Sequence, residues 1–345
     1  MGHRMRVAVL LIAGTGVTAQ AQVSSERGAS VVVFPKVIVE GSRDTLVQLV
    51  NGANTTTHAY CWYTDAQPVH PGLPPGPLNP PRWQVSDFRV VLTHDQPTSF
   101  VASRGRLADP LDEPCATNGD LDCYGAGFDP GRVPALPFGF TGELRCVETD
   151  AAGFPLSGNH LTGEATLIDA LTGDASKYSA IGIAGLDTND SDPVLRLGEE
   201  YTACPQDLVL DHALEGVEDE QLGAGSAVDT ELTLVACSSD LESLITPFLV
   251  ISLQATSELG VQTTAFATVP GWGNLRFSDI SPTLTAESLG AGTGQSRLQV
   301  TAQSTAGVLG IAEEIHRAAD GRSATAAVNV HTEGVRAAVD LITLP

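Results

Sequence analysis

Apolar and polar residues alternate in short runs along most of the chain, the period of strands with one face in a core. Residues 30–39 carry Val31, Val32, Val33, Phe34, Val37 and Val39 and predict a first strand. Pro35 inside that run suits an edge or a bulge, because proline has no N–H for a ladder. Residues 45–49 predict a second strand. In residues 57–63, His58, Tyr60 and Trp62 share one face, and Ala59, Cys61 and Tyr63 the other. A disulfide at Cys61 would turn the second group toward the core. Further strands are predicted over 86–93, 98–102, 177–183, 231–236, 248–254, 261–269, 274–277 and 296–301. Residues 140–149 and 160–168 are expected to pair as a hairpin around the loop 151–158.

One segment reads two ways. Residues 308–319 are Ala-rich with Glu313 and Glu314, which suits a helix. Their alternation is imperfect for a strand, but 324–331 alternates well, and Asp320-Gly321 between them is a strong hairpin turn. Two strands are therefore expected, with helix as the alternative.

The breaks are as informative as the runs. Pro68, Pro71, Pro74, Pro75, Pro77, Pro80 and Pro81 crowd residues 67–83 and forbid helix and central strand there. That segment is expected as a long surface loop rather than a polyproline ligand. A second irregular stretch covers 106–137. Residues 198–228 combine acidic residues with Gly223-Ala-Gly225-Ser226 and read as a linker. The resulting organisation is a leader over 1–21, an N-terminal domain over 22–197, the linker 198–228 and a C-terminal domain over 229–345. The expected fold class is all-β: two β-sandwich-like domains, immunoglobulin-like or of a related Greek-key type, with long irregular loops.

The leader is read from Arg4 and Arg6, the apolar run of residues 7–13, and the small residues of Ala19-Gln20-Ala21. Charged head, short greasy core and small-x-small site make a secretory signal peptide, far too short to span a bilayer. No transmembrane anchor is expected. The location is then secreted or extracytoplasmic: extracellular, cell-surface or periplasmic in a Gram-negative bacterium. An even set of cysteines, Cys61, Cys115, Cys123, Cys146, Cys204 and Cys237, fits disulfides there, although six cysteines allow fifteen pairings. Proximity along the chain favours Cys115–Cys123, Cys61–Cys146 and Cys204–Cys237. No CxxC spacing points to redox or zinc chemistry.

Charge narrows the partners. The chain has 18 Lys+Arg against 41 Asp+Glu, a formal net charge of −23, with mean hydropathy +0.07. Such a surface repels phosphate backbones, so nucleic acid is not expected as a partner. A hard cation fits it better, and Asp187, Asn189, Asp190 and Asp192 offer oxygens at calcium-loop spacing. The loop is no EF-hand, because Asp192 stands where the turn glycine belongs; a turn bonding its own backbone is the competing reading. Asn118, Asp120 and Asp122 make a second oxygen-rich loop. Neither GxSxG nor HExxH occurs, and the adjacent pairs His94-Asp95 and Asp211-His212 would point to opposite faces unless a turn intervenes. No catalytic residues are assigned.

The chain resembles a group of secreted, β-rich, cysteine-containing proteins of environmental Gram-negative bacteria for which no activity is established. The likeness lies in Leu46-Val-Gln-Leu-Val-Asn51 with His58-Ala-Tyr-Cys61, and in Gly142-Glu-Leu-Arg-Cys-Val147 with Ser157-Gly-Asn-His160 and Gly163-Glu-Ala165. It continues through Glu231-Leu-Thr-Leu-Val-Ala-Cys237, Ser278-Asp-Ile280, Gly307-Val-Leu-Gly310 and residues 329–331. The resemblance implies an extracytoplasmic β-rich protein with disulfides. Members of the group carry a further cysteine near Val269-Pro270-Gly271, so their pairings do not transfer. The functional expectation is a structural or adhesive protein that self-assembles through strand edges, with other surface proteins, glycans or itself as partners. A calcium-stabilised ligand- or glycan-binding module is the alternative, and a secreted hydrolase the third.

Overall fold

The computed structural model describes residues 23–345 apart from 26, 71–72, 74–78, 108–129, 214–216, 219–221, 244–247, 293, 304–305 and 337–339. The leader, Cys115 with Cys123, the Asn118–Asp122 loop and much of the proline-rich segment lie outside the described residues.

In chain order the first strands are β1 (Val31–Val39), β2 (Arg43–Asn51), β3 (Thr57–Asp65), β4 (Gln84–Leu92) and β5 (Pro97–Val101). They are followed by β6 (Phe140–Thr149), β7 (Leu161–Asp169), β8 (Ala175–Ser179), β9 (Ile181–Ile183) and β10 (Val194–Leu197). Next come β11 (Pro205–Ala213), β12 (Ala227–Ala236), β13 (Ser239–Asp240), β14 (Phe248–Ser257), β15 (Gln262–Pro270) and β16 (Trp272–Arg276). Two single-turn helices, α1 (Phe277–Ile280) and α2 (Ala286–Leu289), precede β17 (Gln295–Ala302) and β18 (Val308–Arg317). The chain closes with β19 (Ser323–Asn329), β20 (His331–Arg336) and β21 (Asp340–Thr343).

The all-β expectation holds, with 59% strand and 3% helix. The architecture expected for it, two immunoglobulin-like sandwiches, is corrected. The strands form five small sheets set as the blades of a five-bladed propeller, with orders β4-β3-β6-β1-β9, β5-β2-β7-β8, β10-β21-β13, β16-β12-β18-β19 and β15-β14-β17-β11-β20. No blade is a simple sequential meander, since each skips strands and recruits others from further along the chain.

The physical reason is a third core. One apolar cluster lies between the β1 and β2 sheets, and a second between the β12 and β14 sheets. A third joins Val31, Val33, Trp62 and Val147 to Val235, Leu309 and Ile342. A separate sandwich would leave that outer face of the β1 sheet in water. Here all nine residues of β1 are buried, and a strand covered on both sides reads as an unbroken apolar run rather than an alternation.

Several local expectations are also corrected. β6 and β7 are no hairpin: β6 pairs with β1 and β3, β7 with β2 and β8. The stretch 198–228 contains β11, which sits between β17 and β20. Residues 308–317 are strand, paired with β12 and β19, and Gly321 takes φ +87° in the turn that follows. Pro35 marks a bulge, where the register with β6 shifts between Phe34 and Val37.

Two buried cations reach across the halves. Arg145 forks onto Glu143 with Nε and Nη2 at 2.9 and 3.0 Å, and its Nη1 donates to the Cys237 carbonyl at 2.7 Å. Lys36, delivered inward by the bulge, donates to Glu231 at 3.3 Å, to Asn274 at 3.0 Å and to Glu313. Buried charges persist only when paired in this way.

Candidate functional site

The loop between β9 and β10 carries the residues expected to hold calcium. Asn189 Oδ1 accepts the Ser191 N–H at 2.8 Å, Asp190 Oδ1 the Asp192 N–H at 3.1 Å, and Asp192 Oδ1 the Val194 N–H at 2.7 Å. One oxygen of each side chain is thus spent on the turn itself, and Ser191 adopts φ +60° within it. Asn189 also donates from Nδ2 to Tyr201 Oη at 2.9 Å, while Asp187 is exposed.

Asp190 and Asp192 do converge, but with Glu200 rather than with Asp187 and Asn189. The centre of that cluster is occupied by Arg196. Its guanidinium lies 2.9 Å from Glu200, 3.2 Å from Asp192 and 3.8 Å from Asp190. Hydrogen bonds to Asp192 and Glu200 hold it more firmly protonated than a free arginine. Arg196 thus supplies a fixed positive charge to this carboxylate cluster. Glu200 was missed because it fell in the presumed linker; its spacing of four from Arg196 is the signal that could have found it.

Three histidines sit in different surroundings. His212 is buried against Phe277 beside Ser296, and burial pushes its pKa down to about 3, so it is neutral. Asp211 is exposed on the opposite face, as adjacency in a strand requires. His94 and Asp95 do meet, at 3.2 Å, because a turn with Asp95 at φ +49° brings them round. His160 Nδ1 lies 2.7 Å from the buried Glu148 carboxylate, whose other oxygen accepts the His160 N–H at 3.2 Å. This is an oriented imidazole of the kind used in acid–base chemistry. Its hydrogen bonds among the described residues involve no serine or threonine hydroxyl, and they pin the 157–160 loop to β6.

Cys61 and Cys146 stand directly opposite each other on β3 and β6 and are bonded, and Cys204 is bonded to Cys237. Ala59, Cys61 and Tyr63 face the core between the β1 and β2 sheets, while Trp62 on the other face enters the third core. Two disulfides fit an oxidising compartment. Among the described residues no helix is long and apolar enough to cross a membrane.

The feature that stands out chemically is a surface without charge. β15 is the free edge of the β14 sheet, nine residues of sequence QTTAFATVP with no ionisable group. In the hairpin from Phe248 to Pro270 the only ionisable residue is Glu258, near the turn. Its outer face exposes Phe248 at 58%, Val250 at 45% and Phe266 at 64%. Several other sheet edges are blunted in familiar ways. β4 carries Asp87 and Arg89, β8 carries Lys177 and β16 ends on Arg276. β9 is three residues long, the five-residue β5 begins with Pro97, and β19 runs beside β8. Beyond the ladder with β14, the backbone bonding of β15 to described residues is the Gly271 N–H to the Val269 carbonyl.

Comparison of the chain with protein-family models, with curated proteins and with solved structures finds no match.

Proposed function

We propose that this is a secreted or cell-envelope structural protein without catalytic activity, which self-associates by pairing β15 with β15 of a second copy. The observation that carries the reading is the uncharged nine-residue edge on a chain of net charge −23. Like charges repel two such chains over most of their surface. Contact is cheapest where charge is absent, and an open strand edge supplies its own hydrogen-bonding template. A two-fold axis through Phe266, the middle residue of β15, would use the whole edge of both copies and set each Phe266 opposite its mate. Such pairing joins two five-stranded sheets into one of ten.

The test is sedimentation velocity at two concentrations a hundredfold apart, in moderate salt. The expected result is a concentration-dependent dimer that persists when salt is raised, because the contact is uncharged. Phe266→Lys places like charges directly opposite across the two-fold and should return the protein to monomer. Phe266 is 64% exposed, so the melting temperature should barely change. A monomer at every concentration overturns the proposal, as does a dimer indifferent to Phe266→Lys.

A further inference from the structure

A polar cavity of about 190 Å³ opens where the β2 sheet meets the β12 sheet. One wall presents Arg276, Arg317, Ser323 and Thr325, from β16, β18 and β19. The other presents Asp169, Asp174 and Ser176, from β7, β8 and the turn between them, with Arg43 beside them, and Glu231 of β12 lines the floor against Arg276. Leu167 and Ile315 add apolar surface. In a chain with only 18 Lys+Arg, the cavity draws three arginines together, with Lys36 buried behind them.

Most of this charge is already spoken for. Lys36 and Arg43 are held by Glu231 and Glu313, with Arg43 Nη2 at 2.7 Å from Glu313. Arg276 spends Nε on Glu231 at 3.1 Å and lies 3.6 Å from Asp229, and among the described residues its Nη groups have no hydrogen-bond partner. Among the described residues the Arg317 guanidinium approaches Asp229 alone, at 3.8 Å, too far for a hydrogen bond. Two guanidiniums therefore face one recess with most of their donors unused. Guanidinium pairs recognise planar carboxylates through parallel hydrogen bonds.

We propose that this cavity binds a small monoanionic carboxylate bearing several hydroxyls, the chemistry of a single uronic acid residue. The carboxylate meets Arg276 and Arg317. The hydroxyls donate to Asp169 and Asp174, and Asp169 is held in place by the N–H groups of Leu171 and Thr172 at 2.8 and 3.3 Å. Ser323 and Thr325 complete the polar lining, and Leu167 and Ile315 take the ring's C–H surface. The same two aspartates disfavour a dianion such as phosphate. The volume lies below the roughly 300–1,000 Å³ of sites for larger ligands, which limits the occupant to one sugar ring.

Isothermal titration of the full mature chain with galacturonate, glucose and inorganic phosphate tests this. Saturable binding of galacturonate, at least tenfold tighter than glucose or phosphate, is expected. Arg317→Gln should weaken it at least tenfold with little change in melting temperature, since the Arg317 side chain is part-exposed and makes no hydrogen bond among the described residues. Should Arg317→Gln prove destabilised, Ser323→Trp, which fills the recess from a partly exposed position, should abolish binding instead. A short oligogalacturonide separates the sources: equal affinity means a chain terminus can enter, and lower affinity means the free monosaccharide is the ligand. Absence of galacturonate heats at millimolar concentration overturns the proposal. So does glucose or phosphate binding as tightly, or full affinity in both variants.

Discussion

Lys36 shows how far one residue can escape a sequence reading. Within VVVFPKVIV it looks like a charge at an exposed edge, yet it is 1% exposed and meets Glu231 and Glu313 from positions 195 and 277 residues away. Proline was legible as an edge or a bulge; that it would be a bulge in a strand flanked on both sides, aiming a lysine inward at two distant carboxylates, was not, because no local pattern encodes the partner. Removing the ammonium should be severe. Lys36→Met leaves Glu231 and Glu313 short of their counter-charge, and breaking a buried pair on one side costs about 3–5 kcal/mol, readable as a lower urea midpoint. The pH dependence follows from the same site. Burial, the largest influence on Glu231, pushes its carboxyl up, but Lys36, Asn274 and Arg276 together pull it down to about 2 from 4.5. A depressed carboxyl pKa contributes stability that is complete above the unfolded value and is lost as pH falls from 4.5 toward 2, amounting to about 3 kcal/mol. Asp340 works in the opposite sense, since burial raises its pKa and acid relieves that cost. Urea melts at pH 6, 4 and 2.5 should show Glu231→Gln losing stability at pH 6 and converging on wild type at pH 2.5. A constant offset at all three values would mean that its ionisation is not linked to folding.

At the scale of elements, periodicity was a good guide wherever a strand was long and bordered by turns. β2, β3, β14, β15 and β17 lie where the alternation puts them. The short strands β10 and β21, four residues each, give too few positions to establish a period, and β11 was hidden by the acidic residues around it. Pairing partners were less visible than strands. The β6 and β7 segments look like neighbours joined by a loop, but which sheet each enters depends on contacts made elsewhere in the chain. Both described disulfides, Cys204–Cys237 and Cys61–Cys146, are the pairings that proximity along the chain favoured. Their sequence separations, 33 and 85, give loop-closure terms of roughly 4 and 5 kcal/mol in the chain-entropy picture. The double variant Cys61→Ser/Cys146→Ser should therefore lower the urea midpoint somewhat more than Cys204→Ser/Cys237→Ser. The reverse order would indicate that the Cys204–Cys237 bond, beside the Arg145 contact to the Cys237 carbonyl, carries native-state packing as well as chain restraint.

For the whole molecule the decisive element is the third core, because it determines how many pieces unfold. Length predicted a chain too long for one core and therefore two domains, a rule that counts buried area and says nothing about how sheets face one another. In the structure the outer face of the β1 sheet is covered by residues from β10, β12, β18 and β21, and Arg145 and Lys36 hydrogen-bond across the same divide. Unfolding either half alone would expose Val31, Val33, Trp62, Val235 and Leu309 at once and strand two buried charges. The five sheets should accordingly melt together. Scanning calorimetry then gives one transition whose van't Hoff enthalpy approaches the calorimetric value, roughly 240 kcal/mol for a chain of this size near 60 °C at about 0.7 kcal/mol per residue. Independent halves would give van't Hoff values near half of that, or two resolved peaks. A charge substitution within the shared core distinguishes coupling from coincidence. Leu309→Lys, at a fully buried position on β18, should lower one transition as a whole. If it lowers only part of the melt and leaves the remainder in place, the third core is a contact between separately stable units rather than the centre of one cooperative fold.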